Sequence, residues 1–499
     1  MAPSATIDAL TGALVARFLR TNNYLESLEA FIREADLPVD AGQSSGDDTN
    51  NWTIQGLLEE KKAFDHTANF ERYGKSNKDT ESWSVPAPSK ATIVNTPTSS
   101  NLLAASVEPW QFPEDDTETP TTASVIVSTG ADRQVHLSRT SKNHNFITSF
   151  SSISDSPVLA YVSILKGRYI LMTNMSGRLT LLHGSRVLDS RKDHSKYAVK
   201  IVAYEEQGEV DSSPHFWVAT AGWDATVYLY RIDILNGEEA PVIGEPVASI
   251  KLKTNPESLA FVRHAYTNEL ILLVSRRDST YIYYYQVAPS PKEIGDLNQS
   301  ENNANRILPT AECHLLGQQN LAPHSNAWIA FSPAHMALSP HDPGLLAVAT
   351  SSLPHMKVII VRLLFPSTGS LVAPNVSEDV PVTQASQALE ALALQNREDA
   401  AILVQANTFA PQTAYSTPQV VWRPDGSGVW VNGDDGVIRG VETKTGKVVA
   451  TLKNGHEPGC KVRTIWAGYV DVQIEGENTG QEEWVISGGF DKRLILWKV

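Results

Sequence analysis

Residues 483–499 read Glu-Trp-Val-Ile-Ser-Gly-Gly-Phe-Asp-Lys-Arg-Leu-Ile-Leu-Trp-Lys-Val, and residues 215–231 read His-Phe-Trp-Val-Ala-Thr-Ala-Gly-Trp-Asp-Ala-Thr-Val-Tyr-Leu-Tyr-Arg. Each is a β-rich run, a tight turn ending in aspartate and a second β-rich run. Aligned on Asp491 and Asp224, a hydroxyl residue (Ser487, Thr220) lies four positions before and an aromatic residue (Trp497, Tyr230) six after. A histidine (His456, His194) precedes each aspartate by 35 and 30 residues. A unit that recurs with this register is the mark of a repeat architecture.

Weaker copies keep the register: Asp132 with Ser128, Asp278 with Val274 and Tyr284, and Asp435 with Val431 and Val441. Two further units lack the aspartate, one turning at Ser176-Gly177 and one between Leu345–Thr350 and Lys357–Val361. Turns between second and third strands therefore fall near residues 132, 176, 224, 278, 354, 435 and 491, which makes seven units.

These units resemble WD repeats. That family joins a histidine, a Ser/Thr, a turn aspartate and a Trp in one hydrogen-bonded set per blade. The resemblance implies a mainly β, seven-bladed WD-repeat β-propeller over residues 91–499, with His194, Thr220, Asp224 and Tyr230 as one structural set and His456, Ser487, Asp491 and Trp497 as another. A chained network suits such turns, because a buried polar group left unpaired costs about 1–3 kcal/mol. A Ser-His-Asp nucleophilic triad is the opposing reading. It fails because the set recurs in separate units and no Gly-x-Ser-x-Gly elbow surrounds the serines. The last unit shows three strands only, so Thr92-Ile93-Val94 is expected to donate its outer strand and close the ring. Residues 366–418 form a long insert in which Gln384–Gln405, rich in Ala, Leu and Gln, is expected to be helical.

The first forty residues have another character. Ile7, Leu10, Leu14, Val15 and Phe18 repeat at helical spacing; Asn22-Asn23 interrupts; Tyr24, Leu28, Phe31 and Ile32 stripe a second helix that Asn23 and Glu26 could open as a capping box. Two helices this short are marginal alone. Residues 6–38 resemble the LisH motif, with Asn23-Tyr24 where the motif has Gly-Tyr. The resemblance implies a homodimer through Leu10, Leu14, Phe18, Tyr24, Leu28 and Phe31. Residues 40–50 read as a flexible linker, and residues 52–73 as a helix that could extend the dimer as a short coiled coil.

The chain has 499 residues, 41% of them apolar, and a formal net charge of −15. That charge argues against direct nucleic-acid binding. The two cysteines, Cys313 and Cys460, form neither a disulfide framework nor a zinc cluster and read as reduced thiols. No basic leader precedes the apolar stretch Ala9–Leu19, and no apolar run is long enough to span a membrane. A cytoplasmic or nuclear address is therefore expected. No phosphate loop, dinucleotide fingerprint, His-Glu-x-x-His or Cys-x-x-Cys is present, so no cofactor or metal is expected. His335, His341 and His355 read as loop histidines rather than a zinc site. The readable innermost strands, Val199–Ala203, Leu259–Val262 and Trp328–Phe331, are apolar, which argues against a propeller hydrolase.

The expected function is a non-enzymatic scaffold. The order LisH, short helix, propeller is similar to that of the lissencephaly-type dynein regulators. Transducin-β-like corepressor subunits, a spliceosomal WD protein and LisH/CTLH ubiquitin-ligase subunits share the architecture, so a ligase or corepressor receptor is the competing reading. In WD propellers the turns between second and third strands share one face. Here they carry Arg133, Arg276, Arg277, Lys492 and Arg493, with Arg178 and Lys357 nearby and the aromatic residues Trp223 and Phe490 just before turn aspartates. Such a face would suit acidic or phosphorylated partner segments.

Overall fold

The computed structural model describes residues 4–43, 53–55, 83, 85–112, 122–141, 143–206, 214–234, 240–265, 267–287, 311–323, 331–366, 384–473 and 479–499. The chain divides into two compact units, Met1–Lys78 and Asp79–Val499. The helix expected over 52–73 lies outside the described residues save for residues 53–55.

In the first unit, α1 (Ser4–Thr21) and α2 (Leu25–Glu34) meet at a sharp corner. Asn23 takes the left-handed conformation, φ 60°, which asparagine tolerates better than most residues. The backbone N–H and the side-chain amide of Asn22 both donate to the Phe18 carbonyl, at 3.1 and 2.9 Å. The expected capping box does not form. Tyr24 is the N-cap of α2 and no side chain caps it, because Asn23 is spent on turning the chain. Residues 38–43, which include the first four of the expected flexible linker, are fastened back on α1. Arg20 donates to the Val39 and Ala41 carbonyls, both at 3.2 Å. Gly42, at φ 76°, lies so close to α1 that a Cβ would stand 2.4 Å from the Arg17 nitrogen. Ala16 and Leu28 are the buried apolar residues of this unit among those described.

The second unit is a seven-bladed β-propeller. Strands run outward from the axis as β2 (Leu102–Gln111) to β5 (Phe146–Phe150) in blade one and β6 (Val158–Ile164) to β9 (Arg186–Lys192) in blade two. Blade three holds β10 (Ala198–Glu206), β11 (His215–Gly222), β12 (Thr226–Asp233) and β13 (Ala248–Lys251), with a two-residue strand, β17 (Ala311–Glu312), added parallel at its edge. Blade four holds β14 (Pro256–Arg263), β15 (Leu270–Arg276), β16 (Tyr281–Gln286) and β18 (Leu315–Asn320). Blade five holds β19 (Pro333–Leu338), β20 (Leu345–Thr350), β21 (His355–Arg362) and β22 (Ile402–Pro411), and blade six runs from β23 (Val420–Trp422) to β26 (Val448–Leu452). Blade seven holds β27 (Val462–Gln473), β28 (Thr479–Gly489), β29 (Leu494–Lys498) and, outermost, β1 (Lys90–Val94). Thr92 pairs antiparallel with Leu496, so the outer strand of the last blade comes from the N-terminal end, as the sequence suggested. The pairing covers an edge that would otherwise be open.

Second strands are buried along nearly their whole length, as in Leu270–Ser275, because a neighbouring blade covers each face. The core is accordingly distributed. Seven apolar clusters lie one at each junction between adjacent blades. The junction of blades six and seven also takes in Trp83. A Cβ on Gly428 or Gly440 would come within 2.4 or 2.3 Å of its indole, so these glycines form the slot it occupies. Arg423, fully buried, lies over that indole at 4.5 Å. Its guanidinium bonds Glu483 of blade seven at 2.9 and 2.6 Å and donates to the Val85 and Pro86 carbonyls at 3.5 and 3.2 Å.

The insert differs from expectation in one respect. Its helix, α3 (Gln384–Ala401), stops at Ala401, and the next ten residues are β22, the outer strand of blade five. The helix is fastened to blade four: Glu398 accepts from the Asn320 N–H at 2.7 Å and Gln395 donates to the Pro323 carbonyl at 2.7 Å. Among the described residues, no helix is long and apolar enough to cross a membrane.

Candidate functional site

The turns joining second and third strands and the connections from one blade to the next lie on one face, as the antiparallel order of each blade requires. Backbone hydrogen bonds tie each turn to the connection that leads into its own blade. The N–H groups of Ala131, Met175, Trp223, Arg277, Ser351 and Phe490 donate to the carbonyls of Asn101, Pro157, Tyr197, Asn255, Ser332 and Lys461 in six of the seven blades. The turns themselves repeat. In Gly222–Ala225 and Gly489–Lys492 the fourth N–H donates to the first carbonyl and the fourth residue is left-handed. Arg133 occupies that same left-handed place in blade one. The turn aspartate accepts the backbone N–H two residues on: Gln134 to Asp132, Thr226 to Asp224, Val437 to Asp435 and Arg493 to Asp491, at 3.1–3.3 Å.

Two blades add a histidine to this motif. In blade seven Trp497 Nε1 donates to Ser487 Oγ at 2.9 Å, Ser487 meets His456 Nε2 at 2.8 Å, and His456 Nδ1 meets Asp491 at 3.0 Å. Asp491 also accepts the Glu457 N–H at 3.0 Å. Burial works against its charge, but the His456 hydrogen bond and the accompanying N–H donors outweigh it and hold the carboxyl at about 2. In blade three His194 bridges Thr220 at 2.9 Å and Asp224 at 3.0 Å. The Tyr230 hydroxyl donates to Asp193 at 2.9 Å, so the aromatic member reaches one residue upstream of the histidine. Both histidines have both ring nitrogens engaged. His456, Cys460 and Asp491 bring three ligand-type atoms within 4.8 Å of one another, but the Cys460 sulfur accepts the Asp491 N–H at 3.1 Å, and burial together with the Asp491 charge pushes its thiol up to about 11.

Other blades tie the same turn differently. In blade one His136, four residues after Asp132, bonds it at 3.1 Å. In blade two the Asn174 side chain bonds Ser154 and Asp155, at 2.9 and 2.8 Å. In blade six Asn432 donates to the Thr417 and Val462 carbonyls, at 2.9 and 2.7 Å. No pattern in the sequence singled out these residues.

The axial strands correct the reading of an apolar channel. A bulge falls at the second residue of the innermost strand in six blades, among them Leu103, Glu257 and Arg463. The bulge pushes neighbouring side chains towards the next blade. Ser258 accepts the Met336 N–H at 3.0 Å and Thr464 the Ala105 N–H at 3.2 Å; in blade six, whose innermost strand has no such bulge, Gln419 just before the strand accepts the Ile465 N–H at 2.9 Å. His335, expected in a loop, sits on β19 and meets the Val420 N–H at 3.4 Å. Burial, with the Lys200 charge added, holds it well below the usual histidine range and leaves it neutral. Burial also pushes Lys200 down to about 8, with Arg463 adding repulsion. Of the third innermost strand expected, Trp328–Phe331, residues 328–330 lie outside the described residues and Phe331 precedes the strand, which begins at Pro333. His341 caps the Pro424 carbonyl at 2.9 Å, and His355 opens β21.

Trp223 and Phe490 are each 42% exposed on the turn face, and Trp223 rests against Tyr197 at a centroid distance of 5.2 Å. Arg277 and Arg493 are partnered there, with Glu257 at 2.7 Å and Glu457 at 2.9 Å. Arg276 instead bonds the Tyr283 and Thr254 hydroxyls. Arg133 and Lys492 are exposed. In the first unit Leu28 is buried, Leu14, Phe18 and Phe31 are half-buried, and Tyr24 is 54% exposed beside Phe18. The Leu10 side chain lies outside the described residues.

No curated protein matches the chain. A family model described as UCP007778, LisH domain, matches residues 9–43, and one described as UCP007778, beta-propeller domain, matches residues 116–473. The second match alone spans well over half of the sequence, and the chain belongs to this family of LisH-bearing β-propellers.

Proposed function

We propose that this protein is a non-enzymatic scaffold of the WD-repeat kind, which pairs through its LisH segment and docks partner proteins on the turn face of the propeller. One observation carries the reading. Trp223 and Phe490 stand half-exposed on that face, each in front of a turn aspartate that the fold already consumes in hydrogen bonds. Polar groups at the turns serve architecture, and the large apolar side chains are left for contact. Exposed Tyr24 and Leu25 on the short helical hairpin suit a second copy, since a lone hairpin of this length is marginal in water. Pairing would let two weak docking faces act together.

Light scattering of the full chain should give twice the monomer mass, and Tyr24→Glu with Leu25→Glu should give the monomer. Cross-linking of the tagged full chain should recover a partner set that shrinks with Trp223→Ala and Phe490→Ala. A monomeric wild type would remove the pairing, and a partner set indifferent to both aromatic substitutions would remove the docking face.

A further inference from the structure

A cavity of about 870 Å³ opens where the connection out of blade three meets the turn of blade four. Lys251, Lys253 and Arg276 line it, with Tyr283, Ser279 and Phe331. Among the described residues none of its three cations makes an ion pair. Lys251 and Lys253 are exposed. Arg276 is held by neutral oxygens: Nε and Nη2 donate to the Tyr283 hydroxyl at 3.1 and 2.8 Å and Nη1 to Thr254 at 3.1 Å. Its guanidinium also lies 5.2 Å from the Tyr283 ring centroid. The group is thus fixed in place while its charge stays uncompensated. The neighbouring Arg277, by contrast, is neutralised by Glu257. In a chain of net charge −15, three unpaired cations against the single acid of the lining, Asp278, form a local reversal of sign.

We infer that this cavity receives a phosphorylated side chain of a partner peptide. A phosphate dianion offers three acceptor oxygens, which matches a fixed guanidinium and two mobile ammonium groups. The hydroxyl of Ser279 lies in the same wall, and Leu252, Leu315 and Phe331 provide apolar surface for the residues flanking the phosphate. The assignment rests on the docking reading above and names one pocket of that face.

The test is an array of degenerate peptides with a fixed central phosphoserine, phosphothreonine or phosphotyrosine, each beside its unphosphorylated counterpart, probed with the full chain. Captured sequences are then titrated by fluorescence anisotropy. Phosphorylated peptides should bind at least about tenfold more tightly than their counterparts. Lys251→Ala with Lys253→Ala should remove about tenfold, as two exposed charges lost, with no change in melting temperature. Arg276→Gln should remove more, and the lysine pair keeps the test open if that variant folds poorly. Equal capture with and without phosphate, or a lysine variant of undiminished affinity, overturns the pocket. If peptides still bind and Trp223→Ala weakens them, the docking face survives that result; if no peptide binds at all, both readings fall. Tighter binding of free inorganic phosphate or inositol hexakisphosphate than of any peptide overturns the peptide assignment.

Discussion

Arg423→Met tests how the propeller is closed. Arg423 is fully buried, and its partner Glu483 is 6% exposed. One comes from blade six, the other from blade seven, and the same guanidinium holds the Val85 and Pro86 carbonyls and covers Trp83. Removing the cation strands a carboxylate in the protein interior, which costs about 3–5 kcal/mol. The two released carbonyls can still turn to water, so we place the total near about 4 kcal/mol. Glu483→Met leaves Arg423 with Asp425 at 3.4 Å and the two carbonyls, and should cost less, about 2 kcal/mol. The double variant has no orphaned charge. It should be at least as stable as Arg423→Met, with a coupling energy of about 2 kcal/mol or more. Urea unfolding of the full chain, followed by tryptophan fluorescence, measures all four corners of the cycle, and hydrogen exchange should show residues 85–94 losing protection first in Arg423→Met. Additive single effects, or an Arg423→Met within 1 kcal/mol of wild type, would refute the reasoning.

Three further outcomes follow from the same kind of accounting. His456→Ala should cost about 2–4 kcal/mol at pH 7, since it takes one buried partner from each of Asp491 and Ser487; because Asp491 is held at about 2 against an ordinary 3.8, its part of the wild-type advantage should fade as pH falls from about 4 to about 2, and a urea midpoint difference constant over that range would contradict this. Glu108 is driven by burial up to about 7, the Ser106 hydroxyl pulling it back only in part, so its protonated form is favoured by the fold and that contribution, at most about 3 kcal/mol, is complete below pH 4.5 and lost as pH rises through 7; Glu108→Gln should therefore gain on wild type between pH 5 and 8, and parallel pH–stability curves would count against it. Gly440→Ala should expel Trp83 and lower the melting temperature by several degrees, whereas in a Trp83→Ala background the same change should cost less, since only the approach to Trp430 at 2.9 Å is left; equal effects in both backgrounds would remove the slot.

What could be read in the sequence was local and periodic. The Gly-x-Asp turns, the apolar second strands and the β-rich Thr92-Ile93-Val94 carry their meaning within a few residues, and the left-handed place of Asn23 follows from its standing where a glycine is usual. The rest depends on chain segments that meet only on folding. Arg423 and Glu483 are 60 residues apart and each looks like a surface charge. Nothing near Trp83 announces that Gly428 and Gly440 will leave it a slot. The end of α3 was missed because Ala400-Ala-Ile-Leu-Val continues a helical composition. Pairing with β21, Ile360 against Val404, pulls the chain into a strand, and tertiary context overrides a weak propensity. The polar axial residues escaped because a bulge, invisible in composition, changes where Ser258, His335 and Thr464 point.

The imperfect repeats then have a physical explanation. A turn aspartate is useful without its histidine, because it accepts the N–H two residues on and so fixes the start of the third strand. That need is met in blades one and six as well as in three and seven. The second need, tying the turn to its surroundings, is met by His194 and His456 in two blades, by Asn174 and Asn432 in two others and by His136 in blade one. Since several side chains satisfy the same backbone, the blades can differ in sequence while the face keeps its frame. The side chains left over on that frame differ from sector to sector: a paired Arg493 over blade seven, a paired Arg277 beside an unpaired Arg276 over blade four, a half-exposed Trp223 over blade three. A ring of identical repeats would present one surface seven times. Among the described residues, this ring presents an unpaired basic pocket where blades three and four meet, so its divergence from the repeat pattern makes that sector of the face chemically unlike the others.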